Sequence, residues 1–362
     1  MAEALKNLYN DVFFDFFCNR LEEAFSDFNR AAFLKHVKDA DWEQRALKSR
    51  MQHLTKVLKN TLPGSYPEQL AILKRVIQPG FELQLLSIPD FVATYGLAPE
   101  HETISLEALQ FFTSSSTAEF AIRPFIQRNP ERIMQVLYQW AESDNHHVRR
   151  LASEGCRPRL PWGMALSHFK KDPSLVLPVL EKLKHDESEY VRRSVANNLN
   201  DIAKDHPDLV LKIANQWLGH NRNTDRLVKH ACRTLLKKGD LRAMRLFGFG
   251  DPANVTVQDL CFQPVAPGIG QKAQLCFEVN APTASQLLRV EYGIDFLKAN
   301  GTHSRKVFKV TERTPPEGRW KISTPHSFRQ MTTRVHYAGL QRVVILINGV
   351  EKAQHEFELQ PE

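Results

Sequence analysis

The sequence predicts a multidomain fold, an all-α repeat solenoid followed by an all-β sandwich, on three observations. These are a helical apolar period through the first two-thirds, an internal repeat within that region, and a change to short alternating segments after about residue 250. Length agrees, because 362 residues exceed what one compact core usually holds. From Ala2 to about Phe247, stretches such as Leu21 to Val37 and Trp42 to Leu58 place apolar residues three and four apart, with breaks at Pro63-Gly64 and Pro79-Gly80. Three segments then open a helix on proline: Pro130-Glu131-Arg132-Ile133-Met134, Pro173-Ser174-Leu175-Val176-Leu177 and Pro207-Asp208-Leu209-Val210-Leu211. Proline suits a first helical turn, where its missing N–H would have no partner. A second helix follows each, marked by Val148-Arg149-Arg150-Leu151-Ala152, Val191-Arg192-Arg193-Ser194-Val195 and Val228-Lys229-His230-Ala231-Cys232, which start 18, 18 and 21 residues after the proline. Units of 43 and 34 residues, each a helix pair with valine and a basic pair on its second helix, are the signature of a HEAT-like solenoid. Residues 1–248 are assigned to it.

Phe247-Gly248-Phe249-Gly250-Asp251-Pro252 ends the helical pattern. Strands are then expected at Asn254 to Leu260, Lys272 to Val279, Leu287 to Phe296, Lys306 to Thr311, Thr332 to Ala338, Gln341 to Ile347 and Gln354 to Leu359. Turn signals separate them at Pro267-Gly268, Asn300-Gly301, Pro315-Pro316-Glu317-Gly318 and Asn348-Gly349. Seven short strands predict an immunoglobulin-like β-sandwich over 254–362.

Hydrophobic residues at 42% and charged residues at 25% exclude a disordered or low-complexity chain. No apolar run approaches the roughly 20 residues that span a bilayer, and MAEALKNLYNDVF has acids where a signal peptide needs a basic and then apolar start. The expected compartment is the cytoplasm. Five scattered cysteines without a C-x-x-C pair suggest neither a disulfide framework nor a zinc site. Cys261 and Cys276 are too close in sequence for the usual inter-sheet cystine, and all five read as reduced thiols.

The net charge of +7 is unevenly spread. Residues 1–145 hold 15 Lys+Arg against 19 Asp+Glu, residues 146–243 hold 19 against 11, and residues 251–362 hold 13 against 11. A basic middle beside an acidic first third is the asymmetry of a surface that meets a polyanion. Aligned across stacked repeats, Arg149, Arg150, Arg192, Arg193, Lys229, His230 and Arg233 would form a concave basic wall along which a duplex backbone fits. The alternative is that the arginine pairs bridge neighbouring repeats through Asp186, Glu187 and Asp225. The segment Glu154-Gly155-Cys156-Arg157-Pro158-Arg159-Leu160-Pro161-Trp162-Gly163 falls where one repeat is nine residues longer than the next, and its prolines and glycines hold it off a helical course. It places Arg157, Arg159 and Trp162 at the rim of the wall, with Trp162 either an aromatic face for a nucleotide or a plug between helices.

Carboxylates on such a wall repel phosphate unless they have another task. Glu154 and Asp201 flank the same groove, and Glu119, assigned to the preceding helix, could project into it. Acids so placed can position water or stabilise a sugar as it develops positive charge.

These residues carry a family resemblance. Glu119-Phe120-Ala121-Ile122-Arg123-Pro124-Phe125, His147-Val148-Arg149-Arg150-Leu151-Ala152-Ser153-Glu154-Gly155, Arg157-Pro158-Arg159-Leu160-Pro161-Trp162 and Val191-Arg192-Arg193-Ser194-Val195-Ala196-Asn197-Asn198-Leu199-Asn200-Asp201 resemble the AlkC branch of the AlkC/AlkD DNA alkylation repair glycosylases. The resemblance covers residues 1 to about 248, and some members of that branch also bear an immunoglobulin-like domain after the repeats. It implies a monofunctional glycosylase that excises cationic N-alkylated purines, 3-methyladenine above all, from duplex DNA without base flipping and without metal or nucleotide cofactor. It implies Glu119, Glu154, Trp162 and Asp201 as catalytic positions, with Asp201 nearest the deoxyribose and the face of Trp162 on the sugar. It further implies that Arg305, Lys306, Lys309, Arg313, Arg319 and Lys321, expected around two turns of the C-terminal domain, grip DNA beside the lesion. The expected working form is a monomer on double-stranded DNA, with no membrane partner. The rival reading is a non-enzymatic HEAT-repeat scaffold for DNA or an acidic protein. A metal-dependent nuclease ranks below both, because no H-x-x-x-H or paired-aspartate motif is present.

Overall fold

The computed structural model describes residues 5–281, 286–315, 318–331 and 334–362. Of the features expected from sequence, residues 1–4, Pro316-Glu317 of one turn signal and Thr332-Thr333 of one strand lie outside the described residues. The chain divides into two compact units, Met1–His206 with Trp217–Ala231, and Pro207–Gln216 with Cys232–Glu362. The last helix ends at Leu246 and the first strand begins at Thr256. The second unit therefore takes in helical residues as well as the strands, and position 248 falls inside it.

The helices are α1 (Asp11–Ala24), α2 (Arg30–Val37), α3 (Leu47–Thr61), α4 (Tyr66–Val76), α5 (Ser87–Tyr95), α6 (Glu102–Phe112), α7 (Arg123–Arg128), α8 (Pro130–Trp140), α9 (His146–Gly155), α10 (Ser167–Lys171), α11 (Leu177–Leu183), α12 (Glu189–Ile202), α13 (Pro207–Trp217), α14 (Arg222–Ala231), α15 (Arg233–Lys237) and α16 (Leu241–Leu246). The apolar stretch Leu21 to Val37 is two helices rather than one, because Asn29 caps α2 by accepting from the Ala32 amide at 2.9 Å. Pro130 opens α8 as expected, with Asn129 accepting from the Arg132 amide at 3.3 Å. Pro173 does not open a helix. It starts a turn closed by Val176 N to Pro173 O at 2.8 Å, and Pro178 occupies the first turn of α11 instead.

The second helices of the repeats, α9, α12 and α14, pack in succession. Val148, Leu151 and Ala152 of the first, Val191, Val195 and Leu199 of the second, and Leu227, Val228 and Ala231 of the third are buried. Each Val or Leu so placed contributes about 1.5–3 kcal/mol. Polar bonds set the register between α9 and α12, with Ser153 Oγ on Ser194 Oγ at 2.7 Å and Asn198 Nδ2 donating to Ser153 O at 2.8 Å. No described helix is long and apolar enough to cross a membrane.

In the second unit, β1 (Thr256–Gln263), β2 (Lys272–Ala281), β3 (Leu288–Leu297), β4 (His303–Arg313), β5 (Gly318–Ser327), β6 (Gly339–Ile347) and β7 (Val350–Leu359) form two antiparallel sheets, ordered β1-β2-β5 and β4-β3-β6-β7. Phe262, Leu275, Phe277, Val290, Ile294, Phe328, Val343, Ile345 and Phe357 fill the core of this immunoglobulin-like sandwich. The turn Asn348-Gly349 joins β6 to β7 with φ of 48° and 81°, the left-handed pair that a two-residue hairpin needs. Two strand expectations need correction. Of Thr332 to Ala338, the described residues form no strand, and Val335 and Tyr337 are exposed. β5 is not among the expected strands; it carries Pro325 and a mostly polar face, and it is an edge strand, where proline is tolerated. The five cysteines are free thiols, and Cys261 and Cys276 face each other across β1 and β2.

Candidate active site

Glu119 stands in a turn between α6 and α7, not on a helix as expected. The turn is closed by the Ala121 and Ile122 amides on Ala118 O at 3.0 and 3.1 Å, and Pro124 then starts α7. Glu154 lies in the last turn of α9 and Asp201 in the last turn of α12. All three carboxylates are buried.

Cations alternate with these acids. Arg150 pairs with Glu119 and lies 3.6 Å from Glu154 Oε1, one helical turn away. Arg157 donates from one terminal nitrogen to Glu154 Oε1 at 2.7 Å and from Nε to Asp201 Oδ2 at 2.9 Å. Lys204 reaches Asp201 Oδ1 at 3.1 Å. Thr117 Oγ1 adds a bond to Glu119 Oε2 at 2.7 Å and accepts from Arg150 at 2.8 Å. Three carboxylates and three cations thus make one chain of charge across two repeats, so the acids do not leave the surface repelling a polyanion. Burial pulls the Arg157 guanidinium down, but Glu154 and Asp201 outweigh it and hold it above its ordinary range. Among the described residues, no cluster of His, Cys, Asp and Glu has the arrangement to hold a metal ion.

Trp162 is on the surface, 63% exposed, with its backbone in the left-handed region at φ 65°. It is not a plug between helices. Lys48 Nζ donates to Trp162 O at 3.0 Å, so the N-terminal helices help to hold it. The loop is closed beneath by Leu166 N on Pro158 O at 3.2 Å and Gly163 N on Leu160 O at 3.1 Å. Gly155 permits the close approach of α9 to the Glu119 turn, because a Cβ there would stand 2.6 Å from Ile122 Cγ2.

The basic stripe divides. Arg149 and Arg157 are buried, and the structure does not bring them to the surface as the wall required. Arg149 forks onto Asp186 at 2.7 and 3.1 Å and donates to Ser143 O and Asp144 O, the inter-repeat bridge that was the alternative reading. Arg192 turns to Glu187 O at 2.8 Å. Arg159 forks onto Asp205, with its closest contact 2.6 Å. Arg193 is exposed beside Glu189, His230 meets Asn197 Oδ1 at 3.2 Å, and Lys229 is half-buried on α14. Arg233 falls in the second unit. Arg305, Lys306, Lys309, Arg313, Arg319 and Lys321 lie along β4 and β5, strands of different sheets, rather than around two turns. Arg305 is held by Asp295 and Glu351, and Arg313 lies 3.9 Å over the Trp320 ring.

Three residues at the site have no role assigned from the sequence. Tyr190 is exposed, with the Arg150 guanidinium 5.0 Å from its ring centre. Its signal was available, an aromatic directly before Val191-Arg192-Arg193. Lys204 stood at i+3 from Asp201 on the same pattern. Arg123 is wholly buried, donating from Nε to Met164 O at 2.7 Å and from a terminal nitrogen to Gly155 O at 2.8 Å. Burial pulls its guanidinium down to about 10.

Fold and site define a helical-repeat protein with a string of buried carboxylates alternating with cations and an immunoglobulin-like C-terminal domain. A family described as DNA alkylation repair enzyme matches residues 110–235, and one described as the C-terminal Ig-like domain of uncharacterised protein YhaZ matches residues 256–361. The chain is 45% identical over 357 residues to "Uncharacterized protein YhaZ" of Bacillus subtilis (strain 168), covering 98% of this chain and 99% of that protein. It is similar in structure to the Pseudomonas fluorescens alkylpurine DNA glycosylase AlkC bound to DNA containing an abasic site analog, with TM-score 0.92 and 37% identity over 99% of this chain and 100% of that one. The chain belongs to the DNA alkylation repair enzyme family, with the AlkC-like fold and its Ig-like C-terminal domain.

Proposed function

We propose that this protein is a DNA glycosylase that hydrolyses the N-glycosidic bond of cationic N-alkylated purines in duplex DNA, 3-methyladenine preferred, without flipping the base. The observation that carries this reading is the string Glu119, Arg150, Glu154, Arg157, Asp201 and Lys204, with the exposed Trp162 on the loop that leaves Arg157. An alkylated purine is already positive, so the glycosidic bond can break with its electron pair neutralising the base, and no general acid is needed. The residual charge then sits on the deoxyribose. Carboxylates already fixed by ion pairs stabilise it without reorganising at the moment of reaction. Trp162 presents its ring face to the same cation. Water adds to C1′ and loses a proton to a carboxylate, Asp201 in this reading, helped by Glu154 and Glu119. Keeping the base in the duplex would set this enzyme apart from those that extrude it.

The cations Arg159, Arg193, Lys229 and His230 then follow the phosphates, and the basic C-terminal strands add DNA contacts of their own. The protein works as a monomer in the cytoplasm and needs no metal or nucleotide cofactor. The likeness to a DNA-bound alkylpurine glycosylase over the whole chain supports this reading. Chromatographic analysis of bases freed from dimethyl-sulfate-treated duplex DNA tests it. Release of 3-methyladenine ahead of 7-methylguanine is the expected result, and release of neither overturns it.

A further inference from the structure

We infer that Arg123 is a positioning residue that clamps the Trp162 loop from beneath, which rests on the reading of Trp162 as the aromatic face of the site. The guanidinium bonds Met164 O and Gly155 O, the two ends of the segment that carries Arg157, Arg159 and Trp162. Its planar fork can serve two carbonyls at once, which an ammonium on a flexible stem does less well. It is wholly buried, its hydrogen bonds go to carbonyls rather than to a carboxylate, and Nη2 has no hydrogen-bond partner among the described residues. A buried cation held this way costs stability relative to an apolar side chain of the same volume. What it gives in return is geometry. The Trp162 backbone at φ 65° persists only if its surroundings over-determine it. Lys48 holds the Trp162 carbonyl, and Arg123 fixes both ends of the loop. Gly163 belongs to the same device, since a Cβ there would stand 3.0 Å from Leu160 Cδ2 and 3.3 Å from Arg123 Nε.

The test uses the full chain with Arg123→Met and, because that variant alters the core, Gly163→Ala, which leaves Arg123 in place and presses a Cβ to 3.3 Å from its Nε, so that loop and clamp must shift by a few tenths of an ångström. Loop release is read by trypsin cleavage after Arg159 in the absence of DNA, a readout independent of any activity. Base release under single-turnover conditions is read beside DNA affinity. Arg123→Met is expected to be cut at least about tenfold faster and to lose at least about tenfold in base release while DNA affinity changes less than about threefold, and Gly163→Ala is expected to move all three readouts the same way by a smaller factor. In a Trp162→Gly background Arg123→Met should cost little more, because both act on one group. Unchanged cleavage in both variants overturns the clamp, as does a base-release loss that multiplies fully with that of Trp162→Gly. Faster cleavage in a protein that frees no base from any substrate upholds the clamp and overturns the glycosylase reading instead.

Discussion

Replacing Trp162 by glycine separates function from stability. The side chain is 63% exposed, so only about 80 Å² of it is covered, worth about 2 kcal/mol at about 25 cal/mol/Å². Against that loss, a non-glycine residue at φ 65° carries about 1–2 kcal/mol of left-handed strain that glycine relieves. Glycine adds back about 0.5–1 kcal/mol of unfolded-chain entropy. The Lys48 bond is to the Trp162 carbonyl and survives the change. The net loss is about 1 kcal/mol, a fall in Tm of about 2 °C. In the transition state the ring face against a sugar cation contributes about 1–2 kcal/mol, so base release should drop about five- to thirtyfold. Thermal melting and single-turnover release from methylated duplex DNA measure the two quantities. A loss of more than about 4 kcal/mol of stability, or release at the wild-type rate, would refute the placing of Trp162 as a surface aromatic used in catalysis.

Arg149→Ala should destabilise the fold by about 3 kcal/mol, since it leaves the buried Asp186 carboxylate without its cation and with the Ser188 amide as remaining donor, while the salt dependence of DNA binding stays unchanged. Urea unfolding and binding at several salt concentrations check both halves, and a shallower salt slope would return Arg149 to the phosphate wall. Gly155→Val should cost about 1–3 kcal/mol, because its Cβ would already meet Ile122 Cγ2 at 2.6 Å, and a melt at the wild-type temperature would contradict that packing. Acid should weaken the sheet unit through His326, which burial foremost, with Arg334 and His336, pushes down to about 4. Its folded pKa lies below the unfolded value near 6.5, so the unfolded chain binds more protons between pH 6.5 and 4 and stability falls across that window on acidification. The full effect is about 3 kcal/mol. His326→Phe should flatten this part of the stability profile, and an unchanged profile would rule His326 out as its source.

The helical and strand regions were legible because each rests on a local period, and the repeat was legible because equal units must stack to bury their faces. What escaped was set by tertiary contact. Pro173 has the residues of a helix start, yet Pro178 captured that role five positions on. β5 carries a proline that only its edge position allows. Glu154 was legible beside Arg150 and Arg157 as neighbours on one helix and its exit, whereas the Arg157–Asp201 bond spans 44 residues and exists because α9 stacks on α12. Counting cations gave the basic balance, but burial decided that Arg149 holds repeats together and Arg123 holds a loop. A lysine as remote as Lys48 has no sequence signal for a bond to Trp162.

The most direct test of the account compares wild type with Asp201→Asn on methylated duplex DNA in the presence of EDTA. Asparagine keeps the shape and removes the charge, and its single oxygen can accept from Arg157 or from Lys204 but not from both, since these reach different oxygens of Asp201. The account predicts chelator-insensitive release of 3-methyladenine by wild type and a loss of at least about tenfold in the variant, with the DNA affinity kept. Tight DNA binding with no base release from either protein would contradict it and leave a non-enzymatic repeat scaffold.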